Sequence, residues 1–252
     1  MISKADLARM RALQQKKSRV ETKRFLVQGR KVVAELLESS LRVEVLLASE
    51  DAALWVKPMA AERNVPIKIL ASHELDKIGT FEKGNELIAV AETPRELGFR
   101  APGAGELMFA LDGVRDPRNM GGLLRIADWF GVKRVLCSRE CMEVYNPKCV
   151  QSTMGSLFRI ELRVVDLASE LERCAAANAK IFIADMDGKP VYKAALSRPA
   201  VLVLGSESHG LSSAVQSLKA EVISIPRIGQ ADSLNVAMAA AALCTEFTRA
   251  NS

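Results

Sequence analysis

Short apolar runs recur along the second half of the chain, and this pattern constrains the fold more than any other feature. Five such runs, separated by segments with helical periodicity, lie at 107–111, 132–136, 181–184, 201–204 and 222–225. Apolar strands between helices are typical of parallel sheets that are covered on both faces. The pattern therefore predicts an α/β domain with a mainly parallel sheet and helices on both sides.

The first hundred residues show a smaller alternation of helices and strands. A basic helical start leads into a helix at 31–38, and strand-like runs follow at 43–47, 67–70 and 87–91. Two prolines and three glycines within 93–105 break the periodicity and indicate a linker. We predict a smaller α/β domain at 1–95, a linker at 96–105 and a second domain at 106–252, a division that suits 252 residues.

Composition and motif content argue against a membrane protein, a secreted protein and a metal-binding protein. Hydrophobic residues make up 49% and charged residues 26% of the chain, as in ordinary globular proteins. The apolar runs are much shorter than the ~20 residues of a membrane span, and charged residues begin at Lys4, so we expect neither a span nor a secretory signal. Five scattered cysteines indicate a reducing cytoplasm. With two histidines and no Cys-x-x-Cys pair, we expect no metal site.

Positive charge is concentrated at the N-terminus. Residues 1–31 carry ten basic and two acidic side chains, a local charge of +8, whereas the whole chain carries +5. A basic arm on a nearly neutral body is typical of proteins that bind a polyanion, most often nucleic acid. A solvated helix surface is the alternative that charge alone leaves open.

Three polar clusters follow three of the predicted strands, at the position where open α/β sheets bind ligands. In the first, a polar turn at Asn119 precedes Gly121 and Gly122, which open a helix that carries Arg125. Glycine permits close approach to the backbone, and the N-terminus of a helix favours anions. Taken alone, this cluster is also explained by an ordinary helix cap.

The second and third clusters have similar composition. The second, 201–212, ends a strand in a glycine turn with Glu207 and His209. Because it has neither a Gly-Lys-Ser/Thr ending nor G-x-G-x-x-G spacing, we do not expect a nucleoside triphosphate. The third, 223–243, follows a strand with a proline loop and a helix that we expect to open at Ser233.

Read together, the three clusters resemble the signature blocks of the SpoU/TrmH family of S-adenosylmethionine-dependent RNA ribose methyltransferases, within the SPOUT superfamily. The first block, N-x-G-x-x-x-R, matches Asn119, Gly121 and Arg125. The second, G-x-E-x-x-G-L, matches Gly205, Glu207, Gly210 and Leu211. The third joins I-P-x-x-G to S-L-N-V and matches Ile225, Pro226, Gly229, Ser233, Leu234, Asn235 and Val236.

This resemblance implies a deep trefoil knot in the C-terminal domain and an N-terminal domain similar to ribosomal protein L30e. It implies S-adenosylmethionine as cofactor, a homodimer through the C-terminal domain and an RNA substrate, with no metal and no membrane. The catalytic residues that it implies are Arg125, Asn119, Glu207, Ser233 and Asn235. The cofactor-binding residues that it implies are Leu204, Gly205, Glu207, Ile225, Ile228, Gly229, Ser233 and Leu234.

The basic arm supplies the predicted RNA contacts, since phosphate contacts dominate affinity for nucleic acid. Its candidates are Lys16, Lys17, Arg19, Lys23 and Arg24. The two-domain layout favours ribosomal RNA over transfer RNA. The sequence also leaves open the methylation of a base atom and a catalytically silent RNA-binding protein of the same fold. We expect Trp129 and Phe130, at the end of the first cluster's helix, to pack against the sheet, with base stacking as the alternative.

Overall fold

The computed structural model describes residues 3–81, 84–206 and 210–251 and confirms an α/β fold. The strands are β1 (Arg24–Gln28), β2 (Val43–Ala48), β3 (Ile67–Ile69), β4 (Leu87–Glu92), β5 (Leu107–Asp112), β6 (Arg134–Ser138), β7 (Glu161–Val165), β8 (Lys180–Pro190), β9 (Ala200–Gly205) and β10 (Glu221–Ser224). The α-helices are α1 (Lys4–Ala12), α2 (Lys16–Thr22), α3 (Arg30–Glu38), α4 (Glu50–Glu62), α5 (Ser72–Ile78), α6 (Pro117–Trp129), α7 (Pro147–Thr153), α8 (Leu167–Ala176), α9 (Ser213–Gln216) and α10 (Val236–Arg249).

The chain divides into two compact units. The first comprises Met1–Arg95 and Glu143–Arg159, and the second comprises Glu96–Met142 and Ile160–Ser252. By its place in the sequence, 143–159 lies in the predicted second domain, but its contacts group it with the first unit. Hydrophobic periodicity reports local structure only, so it does not predict that this segment packs with the first unit.

The first unit contains a four-stranded sheet in the order β1-β4-β2-β3. β4 pairs antiparallel with β1 and β2, while β2 and β3 are parallel. Leu26, Leu47 and Ile88 of this sheet belong to one buried cluster with Leu75 of α5. β1 was not predicted as a strand, because its apolar run is only three residues long and follows basic residues.

The segment 143–159 completes the first unit. The ring of Tyr145 lies 4.7 Å from that of Phe25 on β1, measured between centroids. Arg159 pairs with Glu35 of α3 at 2.5 Å. Gly155 has a φ of +97°, and a Cβ there would lie 2.7 Å from the Glu35 Cβ. Both the backbone conformation and the close packing therefore require glycine at 155.

The second unit contains a six-stranded sheet in the order β10-β8-β9-β5-β6-β7. Every neighbouring pair in it is parallel, so the predicted mainly parallel sheet is confirmed. β7 was not predicted, because this edge strand alternates polar and apolar residues and is only partly buried.

Helices cover both faces of this sheet, as expected. Because side chains alternate along a strand, Phe182 points to one face of β8 and its neighbour Ile183 points to the other. Ile183 belongs to a buried cluster that includes Leu171 of α8 and Val215 of α9. Phe182 contacts Phe247 of α10 edge to face, with centroids 5.2 Å apart.

Candidate active site

The first cluster begins at a firmly capped helix. Asp116 is the N-cap of α6, and its carboxylate accepts hydrogen bonds from the backbone N–H groups of Arg118, at 2.8 Å, and Asn119, at 3.0 Å. The helix begins at Pro117, which suits a first position where no N–H is needed. Asn119 therefore lies in the first turn of α6, at the carboxyl edge of the sheet just beyond β5.

A side-chain hydrogen bond joins the first and third clusters. The Asn235 Nδ2 group donates to Asn119 Oδ1 at 2.9 Å, across 116 residues of sequence. Asn235 is also the N-cap of α10, since its Oδ1 accepts from the backbone N–H of Ala237 at 3.0 Å. The helix begins at Val236, so Ser233 lies in the preceding loop and does not open the helix as predicted.

α6 and α10 also approach closely beside this hydrogen bond. A Cβ on Gly122 of α6 would lie 3.1 Å from the Cβ of Ala237 of α10. A larger side chain at either position would push the helices apart. The glycine in the first block and the alanine after the third therefore hold the two asparagines within hydrogen-bond reach.

The second cluster follows β9 in a tight backbone turn. A Cβ on Gly205 would lie 2.9 Å from the carbonyl carbon and oxygen of Gly210. The backbones of Ser206 and Gly210 form two hydrogen bonds, of 3.0 and 2.9 Å. Glu207 and His209, which the sequence placed in this cluster, lie outside the described residues.

Asp112 is a site residue that the sequence reasoning did not single out. It ends β5 opposite Gly205 of β9, and it is buried. Its Oδ2 accepts a hydrogen bond from the Ser212 backbone N–H at 2.7 Å, two residues after Gly210. The available signal was a carboxylate that ends an otherwise apolar strand.

Arg125 lies on the solvent side of α6. Among the described residues its guanidinium forms no hydrogen bond or ion pair, so the whole group is available to a ligand. Arg118, Gly122 and Trp129 share its stripe of the helix, at helical spacing. Trp129 is 85% exposed, so the expectation that it packs against the sheet was wrong. It lies opposite the buried face of α6, and that position decides its environment.

The predicted cofactor residues have contrasting environments. Leu204 is buried inside β9 and Ile225 is partly buried just after β10. Ile228 is 99% exposed, and Leu234 is also exposed. A Cβ on Gly229 would meet no atom within 4 Å. Exposed aliphatic groups beside such open space form a surface on which an apolar ligand can lie.

The cysteines form no evident metal centre. Four of the five are buried and Cys141 is partly buried. A hydrogen bond with the Cys137 side chain is the main cause that lowers the pKa of Cys141 to about 7, whereas burial raises the pKa of Cys149 to about 12. The described residues contain no group of three or more potential metal ligands. Within the same part of the chain, no helix is both long and apolar enough to cross a membrane.

The candidate RNA-binding residues of the first unit differ in their exposure to solvent. Lys16, Lys17 and Lys23 are exposed, and Arg24, which is about 39% exposed, pairs with Glu44. These four side chains reach solvent. They are therefore accessible to a polyanion.

Arg19 differs from the rest of the basic candidates and needs a correction. Its side chain is buried and forms an ion pair with Glu143, including a 2.9 Å hydrogen bond from Nε. Its Nη1 donates to the carbonyl oxygens of Leu13 and Gln14, at 2.8 and 2.9 Å. These partners take four of the five guanidinium N–H donors, and the side chain is only 2% exposed, so phosphate cannot reach it. Arg19 therefore supports the fold and is withdrawn from the RNA-binding set.

Fold and site together define a class: α/β proteins with a parallel sheet and a polar site built from three loops at the carboxyl edge. The SpoU rRNA Methylase family matches residues 106–245 of this chain, which therefore belongs to that family. Residues 5–89 match the MRM3-like substrate binding domain.

Similar proteins match nearly the whole chain. The 23S rRNA (guanosine(2553)-2′-O)-methyltransferase RlmP of Bacillus subtilis is 29% identical, over 92% of this chain and 91% of that protein. The 23S rRNA (uridine(2479)-2′-O)-methyltransferase of Streptomyces viridochromogenes is 30% identical, over 89% and 82%. The structure of the SpoU methyltransferase AviRb from the same organism, in complex with AdoMet, has a TM-score of 0.89 and 29% identity and covers 99% of this chain and 98% of that one.

Proposed function

We propose that this protein transfers a methyl group from S-adenosylmethionine to a ribose 2′-hydroxyl of ribosomal RNA. The hydrogen bond between Asn119 and Asn235 carries the proposal, because it joins two signature blocks at the ligand-binding edge of the sheet. The relatives RlmP and the Streptomyces enzyme, which match most of both units, are named 23S rRNA 2′-O-methyltransferases. These names favour rRNA over tRNA and ribose over a base atom.

The cofactor site that we propose lies among the loops after β9 and β10. Gly205, Gly229 and Ser233 supply close backbone approach and a hydroxyl, while Ile228 and Leu234 supply apolar surface. The free space at Gly229 beside exposed aliphatic groups suits the flat ring face of a group such as adenine. S-adenosylmethionine supplies an electrophilic methyl group on a sulfonium. Leu204, Ile225 and Glu207 complete the proposed set.

Arg125 has an electrostatic role in this proposal. A guanidinium has a pKa above ~12 and no acceptor, so it is a poor general base. With its donors available, it binds the phosphate beside the target ribose and stabilises negative charge as it develops on the attacking oxygen. Loss of one such donor typically costs ~2.7 to 4 kcal/mol, which corresponds to a rate decrease of about 100-fold to 1000-fold.

Asn119 and Asn235 act mainly through position. Their mutual hydrogen bond fixes the positions of both amide groups, and amides have both donors and acceptors with which to orient the hydroxyl, the cofactor or the backbone. Alignment of the oxygen with the methyl group contributes up to ~7 to 11 kcal/mol, more than any single polar contact. A catalytically silent protein of this fold is disfavoured because Arg125, Ser233 and Asn235 are all present.

A map of 2′-O-methylation across total RNA, in a strain that lacks this gene, tests the proposal. One or a few methylated riboses of 23S rRNA should disappear and return when the parent gene is restored. Arg125→Ala should not restore them, and Arg125→Lys should restore little, because a point charge does not replace a planar fork of donors. An unchanged methylation map in the deletion strain would refute the proposed activity.

RNA binding through the first unit is the second part of the proposal. The exposed side chains of Lys16, Lys17, Lys23 and Arg24 supply the phosphate contacts. Replacement of all four by glutamine should weaken RNA binding and lower its salt dependence, while cofactor binding stays unchanged. If the four-site variant methylated RNA at the parent rate under subsaturating RNA, the basic arm would be a solvated surface only.

We further propose a homodimer through the second unit, as the family resemblance implies. Trp129 on α6 and Met238 on α10 are exposed apolar side chains that a partner subunit would cover. Trp129→Glu with Met238→Glu should give a monomeric mass in light scattering, whereas Leu97→Glu, at another exposed apolar residue, should not. A parent protein that is monomeric at micromolar concentration and fully active would contradict the dimer.

The remaining parts of the proposal come from the resemblance. They are a trefoil knot in the second unit, an L30e-like fold for the first, and action in the cytoplasm. The match of residues 5–89 to a substrate-binding domain supports the division of labour between the predicted domains.

A further inference from the structure

An exposed aromatic side chain in the first unit has no part in the functions described so far. Trp55 lies on α4, on the side of the helix roughly opposite the buried residues Ala53 and Ala60. The tryptophan is 38% exposed, and its neighbour Leu54 is 72% exposed. Successive residues of a helix point about 100° apart, so Trp55 presents a surface separate from that of Leu54, and a ligand that covers the Trp55 ring removes apolar area from water.

An arginine is held over the Trp55 ring. The guanidinium carbon of Arg30 lies 5.5 Å from the ring centroid, within the range of a cation–π contact. Glu86 fixes this guanidinium with two hydrogen bonds, from Nε at 2.9 Å and from Nη2 at 3.3 Å. The Arg30 side chain is still 38% exposed. The pair therefore presents a preorganised planar surface to solvent.

The charges at this pair select the kind of group that it binds. Glu86 already compensates the charge of Arg30, so a further phosphate is a weaker match than a neutral planar group. Unpaired RNA bases stack on both aromatic rings and arginine planes. Lys31, the next residue of α3, is exposed and supplies a cation for the phosphate beside such a base.

We propose that an unpaired base of the RNA substrate stacks on the Arg30–Trp55 pair. This proposal rests on the proposed function, in that the substrate is RNA. It adds base stacking in the first unit to the phosphate contacts of the basic arm. Its site lies within residues 5–89, which match a substrate-binding domain.

Tryptophan fluorescence tests the proposal directly. The chain has two tryptophans, so a Trp129→Phe variant of the full chain reports on Trp55 alone. The probe is a single-stranded oligoadenylate of about twelve nucleotides, within the usual site size. We expect it to quench Trp55 fluorescence, whereas an abasic oligonucleotide of equal length and charge should bind with little quenching. Equal effects of the two probes, or no quenching by oligoadenylate, would overturn the proposal.

Affinity measurements on matched variants give a second test. Trp55→Ala should weaken oligoadenylate binding roughly 5-fold to 100-fold, and Trp55→Phe should retain most of the affinity. Leu54→Ala, the neighbouring control, should change it less than about twofold. Thermal unfolding should show that each variant is folded. If folded Trp55→Ala binds like the parent, the stack is structural only.

These results are separable from the proposed activity. If no base stacks on Trp55, a deletion strain would still lose its 23S rRNA methylation. Failure of the activity would appear as an unchanged methylation map, whatever Trp55 does. The base-stacking proposal would also be overturned if Trp55 of the full chain bound a protein and its fluorescence did not respond to RNA.

Discussion

Replacement of Gly205 by alanine should damage the turn that begins the proposed cofactor site. The new Cβ would lie 2.9 Å from the backbone carbonyl carbon and oxygen of Gly210 and 3.0 Å from Leu211 Cδ2. Ordinary contacts between carbon atoms are ~3.5 to 4.0 Å, so the two backbone segments must separate by about half an ångström or more. The Leu211 side chain can rotate away, but the Gly210 backbone is held by two hydrogen bonds to Ser206.

Overpacking of this size typically costs ~1 to 3 kcal/mol. In a chain of this size, each kcal/mol lowers the unfolding midpoint by about 2 to 4 °C. Gly205→Ala should therefore unfold a few degrees below the parent. Cofactor affinity should fall by at least about tenfold, because the turn that moves is the one proposed to contact the cofactor.

Titration calorimetry with S-adenosylmethionine and scanning calorimetry measure the two effects. Gly98→Ala is the first control, because a Cβ there meets nothing within 4 Å, and it should change neither quantity. Gly229→Ala is the second control: it should unfold like the parent and still lose cofactor affinity, since only a bound ligand would meet its methyl group. Parent-like cofactor affinity in Gly205→Ala would refute the reasoning.

Three further predictions concern different parts of the chain. Arg19→Ala should destabilise the protein by about 3 to 5 kcal/mol in urea unfolding, because it leaves a largely buried carboxylate unpaired, and a loss no larger than that of exposed Lys16→Ala would contradict this role. Iodoacetamide should modify Cys141 with a rate that rises with pH around a midpoint near 7, because its pKa is lowered and the thiolate is the reactive form; a midpoint near 9 would contradict the lowered pKa. A double-mutant cycle with Asn119→Ala and Asn235→Ala should give a coupling energy of about 0.5 to 1.5 kcal/mol in unfolding experiments, and strict additivity would mean that the hydrogen bond contributes nothing.

The parallel sheet was predictable because its strands are nearly continuous apolar runs, and burial on both faces requires such runs. β1 and β7 were missed for the opposite reason. The apolar part of β1 is short, and β7 lies at the edge of its sheet, where polar side chains can point into water. The start of α10 was predicted two residues too early, since capping is decided by local hydrogen bonds: the sequence analysis expected the helix to open at Ser233, but its N-cap is Asn235.

The site was predictable as three clusters but not as contacts. The spacing of Asn119 and Asn235 gives no reason for their side chains to meet, and only the packing of α6 on α10 brings them together. Arg19 shows that sequence also fails to predict which charged side chains are buried. In sequence it is one of several basic residues on an exposed helix, but a carboxylate 124 residues away turns it into a buried structural residue. Charge counting detects a basic arm but cannot tell which side chains solvent reaches.

The excursion of 143–159 into the first unit has a consequence for synthesis. A chain grows from its N-terminus, and domains usually fold as units in that order. Here the partners of Phe25 and Glu35 are made only after β5 and β6 of the second unit have been completed. Part of the first unit's surface therefore stays uncovered until residue 159 has been synthesised. For the same reason, a chain cut after Arg95 would lack part of its own first unit.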